Sequence, residues 1–98
     1  MASVLIIEDE PLLARNICES LTLAGHTARI VGSGEEGLEA AEKDPPDIVL
    51  LDLRLPGIDG LDVLHELRRR GSSASVITMT AYGRIESAVT EMKAGARD

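Results

Sequence analysis

The sequence predicts an α/β fold: a doubly wound parallel sheet of about four strands, with about four helices on its two faces. Three observations predict it. Short unbroken apolar runs occur at residues 4–7 and 48–51, with a weaker one at 76–79, and such runs suit strands covered on both faces. Segments of helical period lie between them. The two kinds of segment alternate strictly and their connections are short, the pattern of a parallel sheet wrapped by crossover helices.

The elements follow in order. The run Val4-Leu5-Ile6-Ile7 is the first strand. Pro11 suits a first helical turn, and Leu13, Ile17 and Leu21 then recur every four residues. Residues 26–31 mix polar and apolar side chains and read as an edge strand. Ser33 with Glu36 three residues later is a capping box. It opens a helix to about Lys43, which Pro45 and Pro46 prevent from continuing. After the third strand, Leu61, Leu64 and Leu67 form one face of a third helix. That helix ends in Arg68-Arg69-Arg70, suited to a negative helix terminus, and then Gly71. After the fourth strand, Ile85, Ala88, Val89 and Met92 have the spacing of a fourth amphipathic helix.

Composition excludes several classes of function. The chain of 98 residues is one domain in size, and its 44% apolar content suffices for a core. With one Tyr, no Phe and no Trp, it has no aromatic platform for stacking bases. A net charge of -7 argues against a direct nucleic-acid surface and favours a multivalent cation or a basic partner. A single cysteine, Cys18, permits neither an intrachain disulfide nor a thiolate metal cluster. No stretch approaches the ~18 apolar residues of a membrane span, and the start lacks the basic region of a signal peptide. The expected location is the cytoplasm, away from the membrane.

Chemistry is expected beyond the carboxyl ends of the strands, where ligands sit in such sheets. The first strand ends in Glu8-Asp9-Glu10, the third in Asp52 and the fourth in Thr80. Carboxylates crowded at one rim disfavour each other's ionisation unless a cation is present. Mg²⁺ takes oxygen ligands and keeps several waters, so two carboxylates and a backbone carbonyl would suffice to hold it. A carboxylate beside such an ion can accept a phosphoryl group, because the metal neutralises charge on the transferred oxygens. Thr80 would then donate to a phosphoryl oxygen. Taken singly, Asp9 reads equally well as a helix cap and Thr80 as an ordinary strand residue; the joint placement, with Asp52 in an otherwise apolar segment, carries the reading.

These residues match a family. Glu8-Asp9, then Asp52 within Asp-Leu-Arg-Leu-Pro-Gly-Ile-Asp-Gly, then Thr80-Ala81 resemble the receiver domains of response regulators, the flavodoxin-like or CheY-like fold, over the whole chain. The resemblance implies sheet order 2-1-3-4 for the strands present. It implies that Asp52 accepts phosphate from a sensor histidine kinase. Mg²⁺ would be held by Asp9, Asp52 and the backbone carbonyl of Arg54, with Glu8 supporting it through water. Thr80 would be the switch hydroxyl, and Pro56, Gly57 and Gly60 would shape the loop after the acceptor. The expectation is a switch rather than an enzyme: a phosphoacceptor that assists its own phosphoryl transfer and dephosphorylation and controls an output, such as transcription.

The stretch Thr80-Ala81-Tyr82-Gly83, with Glu86, Ala88-Val89, Met92-Lys93 and Gly95-Ala96, resembles regulators that carry a sigma-54-activating ATPase and a DNA-binding domain. Family members also have a lysine followed by proline in a fifth strand, and a fifth helix; the sequence stops before both, and Lys93 is not that lysine. Residues 1–98 are therefore expected to be a receiver domain incomplete at its C-terminus. Its fourth strand would be an exposed edge, open to homodimerisation or to completion by another chain.

Other features read as structure. Gly32-Ser33-Gly34-Glu35-Glu36-Gly37 spells a dinucleotide fingerprint. Glu35 and Glu36, however, sit where a pyrophosphate would approach, and they suit the helix dipole instead. His26 and His65 are expected to be solvated side chains at element ends, Cys18 to pack on the first helix, and Arg68-Arg69-Arg70 to be a helix terminus. A structural acidic interaction domain is the remaining alternative, and the intact Glu8, Asp9, Asp52 and Thr80 argue against it.

Overall fold

The structure, a computed structural model, describes residues 1–79. Four parallel strands, β1 (Ser3–Ile7), β2 (Thr27–Val31), β3 (Ile48–Asp52) and β4 (Ser75–Met79), form one sheet in the order β2-β1-β3-β4. Helices α1 (Pro11–Leu23), α2 (Gly34–Lys43) and α3 (Gly60–Arg69) alternate with them. The expected sheet order is thus observed. The fourth helix expected around residues 85–92 lies outside the described residues, as does Thr80.

The apolar runs are strands because both of their faces are covered. Leu5 and Ile7 of β1, Val49 and Leu51 of β3, and Val76 of β4 point to one face, into a cluster completed by Leu38 and Ala41 of α2 and Val63, Leu64 and Leu67 of α3. Val4 and Ile6 point to the other face, under Ala14, Ile17, Cys18 and Leu21 of α1. Each fully buried aliphatic side chain contributes about 1.5–3 kcal/mol. β2 pairs with β1 alone and leaves Ile30 43% exposed, as its mixed pattern predicts for an edge.

Helix starts follow side-chain chemistry. Ser33 Oγ accepts from the Glu36 N–H at 3.2 Å and donates to Glu36 Oε1 at 3.1 Å, so the capping box closes through the hydroxyl. Asp59 caps α3 by accepting from the Asp62 N–H at 3.0 Å. Glu10, not Asp9, caps α1, accepting from the Leu12 N–H at 3.2 Å. Asp9 is thereby left available for another role.

Two helix faces differ by one position from the expected stripes. The face of α1 is Ala14, Ile17, Cys18 and Leu21, with Leu13 38% exposed. The face of α3 is Gly60, Val63, Leu64 and Leu67, with Leu61 47% exposed. One residue is about 100° round a helix, so a neighbouring leucine completes an apparent row without reaching the core.

The remaining features resolve simply. Arg68 donates to the carbonyls of Ser72 and Ala74 at 3.1 and 2.9 Å, and Arg69 and Arg70 pair with Glu66. The basic run is therefore a helix terminus, committed to its own chain. His26 is half-buried, and its Nδ1 accepts from the Ala2 N–H at 2.9 Å, so it is a structural residue rather than a solvated one. His65 is exposed but lies within α3, not at its end. No helix among the described residues is long and apolar enough to cross a membrane.

Candidate functional site

Strand order reverses between β1 and β3, which pair directly, Ile7 opposite Leu51. The chain leaves β1 through α1 on one face, and α2 and α3 cover the other. The gap between these connections, at the carboxyl ends of β1 and β3, is where an open α/β sheet holds its ligand. Glu8 and Asp9 follow β1 and Asp52 ends β3.

There the structure brings three of the expected residues together. One carboxylate oxygen from each of Glu8, Asp9 and Asp52 lies within 4.8 Å of the others. Glu8 and Asp52 are buried, at 4% and 5% exposure, while Asp9 is exposed. The two buried groups are held by the main chain. Glu8 Oε2 accepts from the Glu10 N–H, and Asp52 Oδ1 accepts from the Arg54 N–H, both at 2.9 Å. The second bond turns the chain after β3 back over its own acidic residue, so the Arg54 backbone stands two residues from Asp52 with its amide engaged.

Burial and crowding act together on Glu8. Burial pushes the Glu8 carboxyl up from 4.5 to about 7, and the neighbouring carboxylates of Asp52 and Asp9 push the same way; the Glu10 N–H partly opposes them. A hard divalent cation is the counter-charge this arrangement fits. The donor set is all oxygen, its members are within reach of one ion, and two of them are buried. Burial of Glu8 was not legible in the sequence, because alternation places it inward only once the register of β1 is known.

The loop after Asp52 is tied to β4 and α3. Leu53 N–H donates to the Met79 carbonyl at 2.9 Å, and Asp52 is paired with Met79. Gly57 has φ 76°, a conformation that suits glycine. A Cβ on Gly60 would lie 2.5 Å from Leu53 Cα and 2.7 Å from the Asp52 carbonyl oxygen. The start of α3 thus packs against the backbone that presents Asp52. Thr80, the residue after Met79, lies outside the described residues.

The glycine fingerprint is a packing motif. A Cβ on Gly34 would lie 2.6 Å from Ile58 and from Val63, and one on Gly37 would run into Ile7 Cδ1. Both glycines let α2 approach its neighbours. A groove of about 240 Å³, lined by Leu38, Pro46, Leu67 and Ala74 among others, opens at the amino ends of β3 and β4, away from the carboxylates. Chemistry rather than volume marks the site.

Residues 4–98 match the family model of the response regulator receiver domain. The chain is 36% identical over 96 residues to the probable transcriptional regulatory protein TcrX of Mycobacterium tuberculosis, covering 98% of this chain and 41% of that protein. It is 39% identical over 93 residues to the luminescence regulatory protein LuxO of Vibrio campbellii, covering 95% of this chain and 20% of that one. The crystal structure of NtrX from Brucella abortus superposes with a TM-score of 0.82 at 30% identity, over 99% of this chain and 22% of that one. The chain spans less than half the length of each of these proteins.

Proposed function

Because the chain belongs to the response regulator receiver domain family, we propose that it is the phosphorylation switch of a cytoplasmic two-component system with Asp52 as phosphoacceptor. One observation carries the reading: Asp52 is buried at the carboxyl end of a central strand, with its Oδ1 held by the Arg54 N–H and with Glu8 and Asp9 beside it.

Asp9, Asp52 and the Arg54 carbonyl would hold Mg²⁺, with Glu8 behind them. The ion, when bound, neutralises charge on the oxygens of the transferred phosphoryl group. The chain's own residues supply position. An Asp52 carboxylate oxygen forms a bond to phosphorus while the bond from phosphorus to the histidine nitrogen of a sensor kinase breaks, and the nitrogen keeps the electron pair. The Arg54 N–H fixes the carboxylate for in-line attack. Thr80, following the residue paired with Asp52, would donate to the phosphoryl group and pull the chain after β4 toward it. The domain is a switch that assists its own phosphorylation and dephosphorylation rather than an enzyme acting on other substrates.

The output is transcription, through a domain beyond this chain. Likeness to LuxO and NtrX, of which this chain covers only 20% and 22%, supports a long regulator with a sigma-54-activating ATPase and a DNA-binding domain.

Two results follow. Asp9→Asn should weaken Mg²⁺ binding at least roughly tenfold, the usual scale for losing a ligand or its support, and should slow phosphorylation at limiting Mg²⁺ while sparing the fold. Titration calorimetry and phosphoryl incorporation read both; unchanged Mg²⁺ affinity contradicts the assignment. The second concerns pH. A carboxyl raised above its unfolded value contributes stability below that value and loses it as pH rises through the folded one. The metal-free domain therefore loses the Glu8 contribution between pH 4.5 and about 7. Mg²⁺ needs Glu8 ionised, so its affinity should rise roughly tenfold from pH 6 to pH 8. Calorimetry at the two pH values checks this, and equal affinities contradict it.

A further inference from the structure

Thr78 is 1% exposed, and its Oγ1 has no hydrogen-bond partner among the described residues. The only other such atom among them is Arg68 Nε, whose guanidinium makes two bonds elsewhere. Thr78 has one polar side-chain group, and no described residue meets it. A buried hydroxyl without a partner costs the desolvation of that group, and valine would fill the same volume without that cost.

Its place in the sheet is specific. Thr78 pairs with Leu51, the residue before Asp52. It shares a face of β4 with Val76, which is buried in the larger core cluster. It immediately precedes Met79, whose carbonyl holds the Leu53 N–H beside the acceptor. Any pull on the loop after Asp52 is therefore delivered one residue from this hydroxyl.

We propose that Thr78 is a coupling residue of the switch: its hydroxyl goes unbonded among residues 1–79 in the unphosphorylated domain and gains a hydrogen bond in the conformation that a phosphoryl group on Asp52 favours. The resting conformation carries the cost of the unmet group and the second one does not, so the hydroxyl biases the equilibrium toward activation. A group bonded in only one of two states acts on their ratio, and through it on the apparent affinity of whatever favours the second state. Thr78 is a positioning residue, remote from the reacting atoms. The inference rests on Asp52 as acceptor.

The test uses the full chain with Mg²⁺ and beryllofluoride, a mimic of the phosphoryl group, and two variants. Thr78→Val removes the hydroxyl and keeps the shape; Thr78→Ser keeps the hydroxyl. Thr78→Val should raise the Tm of the unphosphorylated domain by roughly 4 °C or more and weaken beryllofluoride binding about 5- to 100-fold. Thr78→Ser should bind beryllofluoride within about twofold of wild type despite a lower Tm. A Thr78→Val protein that melts higher but binds beryllofluoride like wild type overturns the proposal, because the hydroxyl is then only a flaw in the core. A lower Tm for Thr78→Val also overturns it, because the hydroxyl is then bonded at rest. Failure of the wild-type chain itself to bind beryllofluoride removes the acceptor reading and this inference with it, and is recognised because it does not depend on residue 78.

Discussion

The Asp52→Asn protein is expected to take up no phosphoryl group under conditions that label the wild type, and to melt higher than wild type when metal is absent. The first effect follows from the chemistry. An amide has no anionic oxygen with which to attack phosphorus, and no other carboxylate in the cluster combines burial, strand anchoring and a main-chain bond in the same way. Glu8 is buried too, but it is pushed up to about 7 and follows its strand rather than ending it. The second effect separates a functional residue from a structural one. Asp52 raises the cost of ionising Glu8, so removing its charge relieves repulsion in the metal-free domain. A residue that lowers stability while enabling chemistry is the pattern of a functional site. Thermal melting in chelator, together with phosphoryl incorporation in Mg²⁺, reads both effects. A variant that melts lower and still labels would contradict both.

Gly60→Ala is expected to be the most damaging single-methyl change in the described part of the chain. The added Cβ would meet Leu53 Cα at 2.5 Å and the Asp52 carbonyl oxygen at 2.7 Å, well inside the ~3.5–4.0 Å of an ordinary carbon contact. Gly37 is also tight, but the atom in its way belongs to the flexible end of Ile7. The atoms opposing residue 60 are backbone, and no rotamer relieves them. The start of α3 must back away or the chain after Asp52 must move. Overpacking of this kind costs about 3 kcal/mol, which lowers the Tm of a domain this size by roughly 12 °C or more. The displaced backbone includes the peptide that orients Asp52, and a misplacement of about 1 Å can slow a reaction ~100-fold. Circular dichroism melting and the rate of labelling by a small phosphodonor check the two parts. Wild-type stability in Gly60→Ala would show that the close approach is not maintained.

How much of this was legible in the residues varies by element. The strands β1 and β3 stood out because both faces are covered, so nearly every residue in them is apolar. The edge position of β2 followed from its mixed pattern, and the sheet order followed from the family resemblance alone. The helices were legible as helices, yet Leu13 and Leu61 lie about 100° off the buried faces. A row of leucines resembles a core stripe even when Ala14 and Val63 are the residues that face the sheet. The acidic rim was legible because charged residues closed apolar runs. The inequality within it was not: Glu8 is buried, Asp9 is exposed, and Glu10 rather than Asp9 caps α1. Those differences depend on strand register and the path of the next turn, which no local pattern encodes. Gly34 and Gly37 are the converse case. Their spacing spelled a nucleotide motif, and only contacts with Ile58, Val63 and Ile7 reveal them as packing residues. Thr78 gave no signal, since threonine is common in strands.

The claim that Asp52 is the phosphoacceptor is tested most directly by trapping the product. The chain is incubated with Mg²⁺ and a small phosphodonor, reduced with borohydride, digested and mapped by mass. Borohydride converts an aspartyl phosphate to homoserine and leaves an unmodified carboxylate unchanged. Homoserine is expected at position 52, dependent on Mg²⁺ and absent from Asp52→Asn. Homoserine at position 9, or a wild-type chain that yields none with Mg²⁺ and donor in excess, would contradict it.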